Sequence, residues 1–311
     1  MRIKKFIIIC IPVFILIISG LWIIFSNGKL ALTKASVKPK IETIEEIKSN
    51  LSKYGDKFYV NRLIKQVKNI KFNKQKGFRF VVFGDSRDNL EIFQMIVKSI
   101  NESQPLFAIN TGDMTPYGYS FDMDKYLFST LEKYASYPFF PVMGNHDCRR
   151  GSLAYTFVFG GDESRVYHFD YGNCRFIILD NCERDNAMPW DKQLMLVDRW
   201  LSEKKNYRKF VFMHKTPSDV DVWAYHAMPR EMSAPLVKLM SKHKVDHVFC
   251  GHIHAYSTAT YGGVEYTVTG GGGAPLHSQY GELGSCYHYV IVDVLPDKID
   301  MKVVRFLPAK K

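Results

Sequence analysis

The pattern of hydrophobic and polar positions changes its period along the chain. Between residues 41 and 70, apolar residues recur at helical spacing with charged residues between them, and Tyr54-Gly55 interrupts the pattern. This predicts two amphipathic helices. They could lie on a folded domain, on a membrane surface or between the two, and we expect them to pack against the domain. From Phe78 onward, short apolar runs rich in β-branched and aromatic residues alternate with helical stretches. Such runs are typical of buried strands.

The order of the predicted elements indicates the fold class. From Phe78 to Gly144 the pattern predicts strand, helix, strand, helix and strand. Hairpin patterns follow in residues 166–180, 257–269 and 287–306. The sequence therefore predicts an α/β fold in which two mixed sheets pack face to face with helices outside.

An apolar segment precedes this domain. Phe6–Phe25 contains twenty residues without a charge, about the length of a helix that crosses a bilayer. Arg2, Lys4 and Lys5 come before it, so the positive-inside tendency predicts a single-pass transmembrane helix with a cytoplasmic N-terminus and an extracytoplasmic domain. A cleaved signal peptide is the alternative. The predicted divisions are a membrane anchor at 1–28, a helical linker region at 29–76 and the domain at 77–308.

Charge and cysteine content narrow the function classes. Lys and Arg total 42 against 31 acidic residues, a net charge of +11 that favours anionic partners without naming one. We predict no specific nucleic-acid binding. The six cysteines are scattered and lack CxxC spacing, so we expect mostly free thiols and no cysteine zinc site.

Polar side chains that can bind metals follow five of the predicted strands. They occur in the motifs FGDSR, NTGDM, GNHD, VFMH and GHIH, as Asp85, Asp113, Asn145, His146, Asp147, His214, His252 and His254. Because ligands of open α/β sheets bind where strands end, we expect these groups to lie together. Leaving them buried and unpaired would be costly, whereas cations make the arrangement favourable. The sequence therefore predicts a metal centre.

In this order the motifs resemble the calcineurin-like metallophosphoesterase superfamily, which includes purple acid phosphatases, over residues 78–308. The resemblance implies a four-layer αββα sandwich and two divalent metal ions, of Mn, Fe or Zn. The implied ligands are Asp85 and His254 for the first ion, Asn145, His214 and His252 for the second, and Asp113 as the bridge between them.

The resemblance also implies a mechanism. Metal-bound hydroxide would attack phosphorus in line, and His146 would protonate the leaving oxygen as general acid. Asp147 would orient the His146 ring, although it could instead cap a turn. Asn145 is also a candidate substrate-binding residue. Arg149, which follows the GNHD motif, could grip phosphate oxygens, although exposed arginines are more often solvated.

One position departs from the family pattern. The usual first motif is D-x-H, and here it reads Asp85-Ser86-Arg87. Arginine stays protonated and has no lone pair to offer a metal, so Arg87 cannot be a ligand. We therefore expect the first ion to bind more weakly, to take extra water or to differ in kind. Arg87 could turn toward the substrate phosphate and take a catalytic role. Pro116 stands where purple acid phosphatases carry a tyrosine ligand, which argues against an iron-tyrosinate centre.

These observations predict a membrane-anchored phosphoesterase that acts on a phosphate mono- or diester. The substrate would be a phosphorylated small molecule, a lipid or an envelope component. The alternative is a degenerate phosphatase-fold module that binds or senses phosphorylated ligands without hydrolysing them. The sequence does not predict the oligomeric state.

Overall fold

The computed structural model describes residues 41–182, 188–220 and 226–306, together with the backbone of three strands before residue 41. The chain divides into two compact units, Met1–Lys40 and Ile41–Lys311. In the first unit, β1 (Phe14–Ile18), β2 (Leu21–Ser26) and β3 (Lys29–Lys34) form an antiparallel sheet in that order.

The transmembrane helix predicted over Phe6–Phe25 is corrected by these strands. Its residues 14–18 pair with its residues 21–25 in β1 and β2, and its residues 6–13 and 19–20 lie outside the described part of the chain. The apolar run is rich in isoleucine and aromatic residues, which suit a strand as well as an apolar helix. Within the described residues, no helix is both long and apolar enough to cross a membrane.

The second unit contains eleven further strands and nine α-helices among its described residues. The strands are β4 (Phe78–Phe83), β5 (Phe107–Asn110), β6 (Phe139–Pro141), β7 (Tyr167–Tyr171), β8 (Cys174–Ile178), β9 (Arg208–Phe212), β10 (His247–Cys250), β11 (Tyr256–Tyr261), β12 (Val264–Thr269), β13 (Tyr287–Val294) and β14 (Ile299–Phe306). The helices are α1 (Ile44–Leu51), α2 (Val60–Lys68), α3 (Leu90–Glu102), α4 (Ser120–Asp122), α5 (Ser129–Tyr134), α6 (Leu153–Phe159), α7 (Trp190–Glu203), α8 (Arg230–Lys242) and α9 (Gly281–Gly284). A π-helical segment, Met123–Phe128, joins α4 to α5.

These strands form two mixed sheets, as predicted. The five-stranded sheet has the order β14-β13-β4-β5-β6, with β4, β5 and β6 parallel and β13 antiparallel to β4. The six-stranded sheet has the order β11-β12-β10-β9-β8-β7, with parallel strands in the middle and an antiparallel strand at each edge. The three predicted hairpins are β7-β8, β11-β12 and β13-β14.

Phenylalanine rings hold the two sheets face to face. Phe80 of the five-stranded sheet meets Phe176 and Phe210 of the six-stranded sheet at centroid distances of 5.3 and 5.2 Å, and all three side chains are fully buried. Helix α3 packs on β13, while α7 and α8 share an apolar cluster with the six-stranded sheet. Helices therefore cover the outer faces, which agrees with the predicted sandwich. The five cysteines within the described residues are buried free thiols, as expected.

The two helices predicted between residues 41 and 70 are α1 and α2, and both pack on the sandwich. Thr43 begins α1 with a capping box, in which its hydroxyl accepts from the Glu46 N–H at 3.2 Å and the Glu46 carboxylate accepts from the Thr43 N–H at 2.9 Å. Helix α2 lies against β6 and β7. These helices thus belong to the same compact unit as the sheets. The boundaries predicted at residues 28 and 76 stay predictions.

Candidate metal centre

The predicted ligands come from loops that follow β4, β5 and β6 in one sheet and β9 and β10 in the other. Asp85, Asp113 and His252 adopt positive φ angles of 55°, 55° and 67° at the point where their strands end. Few residues other than glycine adopt this conformation, and it is found at sites where surrounding structure fixes a side chain for function. The loop backbones therefore turn sharply to bring these side chains to one edge of the sandwich.

Glycines let these loops approach one another closely. A Cβ at Gly144 would lie 2.0 Å from the Asp113 nitrogen, and one at Gly270 would lie 2.8 Å from the Asp85 Oδ2. The N–H of Gly272 donates to the Gly84 carbonyl at 2.8 Å. The glycine run 270–273 therefore approaches the loop after β4 closely.

Four side chains form what we call the second ligand group: Asp113, Asn145, His214 and His252. The His214 Nε2 lies 2.9 Å from the Asn145 Oδ1, 3.3 Å from the Asp113 Oδ1 and 3.2 Å from the His252 Nδ1. The His214 Nδ1 donates to the Thr111 carbonyl at 2.9 Å, so Nε2 carries the lone pair of the neutral ring. Burial lowers the pKa of His214, which favours that neutral form. Lone pairs of nitrogen and oxygen thus face one another, and a cation fits between them.

Three side chains form the first ligand group: Asp85, Asp113 and His254, whose ligand atoms lie within 4.8 Å of one another. The His254 Nδ1 donates to the Pro275 carbonyl at 2.7 Å, which leaves Nε2 facing the Asp85 Oδ1 at 3.5 Å. The Asp85 Oδ2 accepts from the His252 N–H at 2.9 Å, whereas the buried Oδ1 has no hydrogen-bond partner. Burial and the nearby Asp113 raise the pKa of Asp85 well above its ordinary value, since two buried carboxylates repel.

Asp113 belongs to both groups. Its Oδ1 accepts from the His146 N–H at 2.7 Å and lies near His214, while its Oδ2 lies 3.4 Å from the Arg87 Nε. Burial would raise the pKa of Asp113, but the neighbouring His214 and His146 outweigh it and lower that pKa overall. The carboxylate is thus kept ionised at the position predicted for a bridging ligand.

Arg87 points into the first ligand group. Its Nη2 lies 3.3 Å from the His254 Nε2, its Nη1 pairs with the Asp88 carboxylate, and its side chain is only 13% exposed. The predicted contact between Arg87 and a substrate phosphate stays a prediction.

The His146 ring is oriented by a backbone carbonyl. Its Nδ1 donates to the Pro116 oxygen at 2.6 Å, and its Nε2 lies 3.9 Å from the Asp113 Oδ2 on the side of the ligand groups. His146 thus presents Nε2 to a molecule bound at the centre. Pro116, which stands where purple acid phosphatases carry a tyrosine, supplies the carbonyl that fixes this ring.

The role predicted for Asp147 requires correction. Its Oδ1 accepts from the Thr115 N–H at 3.0 Å and from the Thr115 hydroxyl at 3.2 Å, and its Oδ2 accepts from the Gly144 N–H at 3.0 Å. Burial and the nearby Asp113 raise the pKa of Asp147 to about 7. Asp147 therefore connects the loop after β5 to the loop after β6. The ring of His146 is oriented by the Pro116 carbonyl instead of by Asp147. A carboxylate that follows a turn finds backbone N–H groups nearby, which is why the capping alternative prevails.

Comparison with known protein families agrees with this geometry. The family model described as calcineurin-like phosphoesterase matches residues 78–256, more than half of the chain. The chain belongs to this family. The resemblance inferred from the motifs is thus confirmed. A comparison with curated proteins finds no match.

Solved structures share the phosphoesterase fold. A purple acid phosphatase, PPD1, from yellow lupin (Lupinus luteus) is 19% identical, with a TM-score of 0.61 over 75% of this chain and 52% of that one. This phosphoesterase therefore spans about half the length of the lupin protein. A dimetal phosphatase from Danio rerio is 13% identical, with a TM-score of 0.58 over 74% of this chain and 96% of that one. GAP50, the anchor in the inner membrane complex of Plasmodium, is 16% identical, with a TM-score of 0.51 over 73% and 84%.

Arg149 lies beside the phosphoesterase centre without joining either ligand group. Its N–H donates to the His146 carbonyl at 3.2 Å, and its exposed guanidinium lies 5.4 Å above the Tyr117 ring. This position is at the rim of the site, on the same side as His146. Its predicted contact with substrate stays a prediction.

Two further histidines of the phosphoesterase stack behind the ligands. The His277 ring stacks on His254 with centroids 4.7 Å apart and on His226 at 5.3 Å, and His226 lies 6.0 Å from the His252 ring. The His277 N–H also donates to the His254 carbonyl at 3.0 Å. Sequence reasoning missed His277. The available signal was its position four residues after the glycine run 270–273.

Proposed function

We propose that this phosphoesterase hydrolyses phosphate mono- or diesters at a divalent cation held by Asp113, Asn145, His214 and His252. The observation that carries this proposal is the lone pair of the His214 Nε2, which faces the Asn145 Oδ1 at 2.9 Å and the Asp113 Oδ1 at 3.3 Å. Imidazole and carboxylate are ligands that suit Mn, Fe and Zn. A bound divalent cation would stabilise charge on the phosphoryl oxygens and lower the pKa of water.

His146 would act as the general acid. Its Nδ1–H stays hydrogen-bonded to the Pro116 carbonyl, so protonation at Nε2 gives an N–H directed toward the centre. That N–H can pass its proton to the leaving oxygen, because imidazolium is a good acid near neutral pH. The fixed ring means that little reorganisation is needed when the ester bond breaks.

Asn145 can serve the cation and the substrate together. Its Oδ1 is directed at the His214 Nε2, which leaves the amide NH₂ free to donate to a phosphate oxygen. A neutral amide also adds no negative charge to a site that already contains two buried aspartates. The two predicted roles of Asn145 are therefore compatible.

Turnover of aryl and alkyl phosphates, with and without added Mn²⁺, tests the proposal. We expect Mn²⁺-dependent hydrolysis, and we expect His146→Ala to reduce kcat by about 10²- to 10⁴-fold. The loss should be larger for the alkyl ester, because a poor leaving group needs the proton more. His243→Gln, which removes a histidine paired with Asp198 away from the site, is the matched control. Equal losses for both esters would contradict the role given to His146.

A binding or sensing module is the second candidate, and the position of Arg87 favours it. A guanidinium inside the first ligand group can hold a phosphorylated ligand by charge while leaving the hydrolytic centre incomplete. This candidate requires retention of a phosphate ester without turnover at saturating Mn²⁺. Release of many equivalents of hydrolysis product per protein chain would exclude it.

We also propose attachment to a membrane, with the catalytic domain extracytoplasmic and a phosphorylated small molecule, lipid or envelope component as substrate. The uncharged, largely apolar run Phe6–Phe25 supports attachment, because burying apolar surface away from water is favourable, and the net charge of +11 favours an anionic substrate. The full chain should remain with membranes through an alkaline wash, and Leu16→Lys should release it. Ile44→Lys, at an exposed position of α1, is the control. Release of the unaltered chain by that wash would contradict the attachment.

A further inference from the structure

The two ligand groups share Asp113 but differ in what faces them. In the second group, the described neighbours of the His214 Nε2 are two oxygen atoms and another imidazole nitrogen. In the first group, the Arg87 guanidinium enters the cluster, with Nη2 at 3.3 Å from the His254 Nε2 and Nε at 3.4 Å from the Asp113 Oδ2. The first group thus contains a guanidinium within 3.4 Å of two of its ligand atoms, whereas the contacts described for the His214 Nε2 include no cationic group.

The backbone fixes Arg87 in this place. The Arg87 N–H donates to the Asp113 carbonyl at 3.3 Å, and Asp88, which pairs with the guanidinium, has a φ of 73°. Gly273 passes so close that a Cβ there would lie 3.1 Å from the Arg87 carbonyl oxygen. Asn89 then caps α3 by accepting from the Ile92 N–H at 3.1 Å. The short loop between β4 and α3 is therefore held at several points, and its arginine is directed inward.

The guanidinium and a metal ion compete for the same lone pair. The His254 Nδ1 proton is donated to the Pro275 carbonyl at 2.7 Å, so Nε2 is the lone pair that this ring can offer. A guanidinium N–H donates to that lone pair, and arginine does not deprotonate in proteins. A divalent cation on His254 would also lie next to a fixed positive charge in a buried site, where like charges repel strongly.

We propose that the Arg87 guanidinium takes the place of the first cation, so that the chain holds one divalent ion, in the second ligand group. This inference rests on the proposed function, because it concerns the same centre. The guanidinium balances the charge of Asp113 and can donate to a phosphate oxygen, which one cation of a two-metal site otherwise binds. It cannot lower the pKa of water by coordination. The chain would therefore combine one Lewis acid with one fixed organic cation.

Metal content tests the inference without reference to turnover. The full chain is saturated with Mn²⁺, freed of unbound metal by gel filtration, and measured for Mn per chain and by electron paramagnetic resonance. We expect one ion per chain with the spectrum of an isolated Mn²⁺. Arg87→His should hold two ions with the spectrum of a coupled pair. Arg199→His makes the same exchange at an exposed position of α7 and should hold one.

A second variant covers the case in which Arg87→His does not fold. Arg87→Ala removes the guanidinium without adding a ligand, and it should bind a second Mn²⁺ at higher concentration than Arg87→His does. Two coupled ions in the unaltered chain would overturn the inference while leaving the proposed hydrolysis intact. One ion in both Arg87 variants would also overturn it, because the arginine would then not exclude the second. A chain that binds no Mn²⁺ and hydrolyses no ester would overturn both proposals.

Discussion

The two sheets bring different chemistry to the centre. The loops after β4, β5 and β6 of the five-stranded sheet carry the oxygen ligands, which are Asp85, Asp113 and Asn145. The loops after β9 and β10 of the six-stranded sheet carry the nitrogen ligands, which are His214, His252 and His254. One sheet thus supplies negative charge and the other supplies neutral donors. Each of the two ligand groups combines residues from both sheets, so the site requires the packed sandwich.

Each sheet also orients the ligands of the other. The Thr111 carbonyl, after β5, accepts from the His214 Nδ1 at 2.9 Å, and the His252 N–H, after β10, donates to the Asp85 Oδ2 at 2.9 Å. Hydrogen bonds of this kind fix the tautomer of a metal-binding histidine and the direction of a carboxylate. We call the five-stranded sheet with its loops the oxygen side, the six-stranded sheet with its loops and covering helices the nitrogen side, and the packed rings between the sheets the seam. The predictions concern these three regions and the rim of the site, where Arg149 lies.

The largest effect is expected on the oxygen side, at Asp113, which both ligand groups share. Asp113→Asn removes the charge that faces His214 and Arg87. Since a catalytic metal contributes several kcal/mol, we expect turnover to fall at least about a thousandfold together with metal content. Metal analysis and kcat/KM with an aryl phosphate measure this, and Asp162→Asn at an exposed position is the control. Full metal content with unchanged turnover would show that the oxygen side does not depend on this carboxylate.

The seam between the sheets comes next. Phe176 is fully buried and stacks on Phe210 at 5.4 Å while its ring edge meets Phe80 at 5.3 Å. Phe176→Ala should lower the free energy of unfolding by about 3 to 5 kcal/mol, because it removes a large ring and leaves a cavity. Urea unfolding measures this, with Phe121→Ala at a half-exposed position as the control. A loss under about 1 kcal/mol would mean that the seam repacks around the cavity.

The contrast between the sheets could be predicted from the sequence because its signals are local. Each ligand follows an apolar run directly, and the strand ends of a parallel sheet share one edge, so the motifs before Asp85, Asp113 and His214 indicated both fold and site. The helices α6 and α8 were not predicted. Helix α8 contains Pro235 beyond its first turn, and a proline at such a position argues against a helix in the sequence pattern.

The positions of single side chains could not be predicted in the same way. The His146 ring is held by the Pro116 carbonyl, thirty residues earlier in the chain, and backbone carbonyls carry no residue-specific signal. Asp147 follows His146 directly, yet its partners are Thr115 and Gly144. The inward direction of Arg87 likewise depends on the shape of the loop between β4 and α3. Residue types and spacing indicate which side chains come together. Their orientation is decided by hydrogen bonds between residues that are far apart in the sequence.

The nitrogen side also contains a buried histidine away from the metal ligands, which should make stability depend on pH. His247 of β10 bonds the Thr267 hydroxyl at 2.8 Å, and burial lowers its pKa to about 3. In the unfolded chain the histidine pKa is near 6.5, so the ring is protonated below that pH, whereas in the folded chain it stays neutral. The free energy of unfolding therefore falls as pH drops below about 6.5. At pH 5 the loss from this residue should be about 2 kcal/mol. Urea unfolding between pH 7 and pH 5 should show a smaller loss for His247→Gln.

The same measurement on a histidine near the surface of the same side, between α7 and α8, gives the control. His243→Gln changes a histidine that pairs with Asp198 near the surface. This variant should keep the loss of unfolding free energy that His247 contributes between pH 7 and pH 5. If His247→Gln and the unaltered chain lose equal stability between pH 7 and pH 5, then His247 does not cause the pH dependence of stability.

The smallest effect is expected at the rim, at Arg149, which belongs to the loop after β6. Its guanidinium is exposed and lies 5.4 Å above the Tyr117 ring, where a cation–π contact contributes about 0.5 to 1 kcal/mol. An exposed charge of this kind attracts a phosphate and is screened by salt. Arg149→Gln should therefore raise KM about two- to fivefold, with kcat unchanged and with less effect at high salt.

Arg230→Gln, at an exposed position beside the six-stranded sheet, is the control and should change neither KM nor kcat. If kcat instead falls tenfold or more at every salt concentration, Arg149 contacts the reacting phosphate, and the oxygen side supplies a catalytic cation of its own in addition to Arg87.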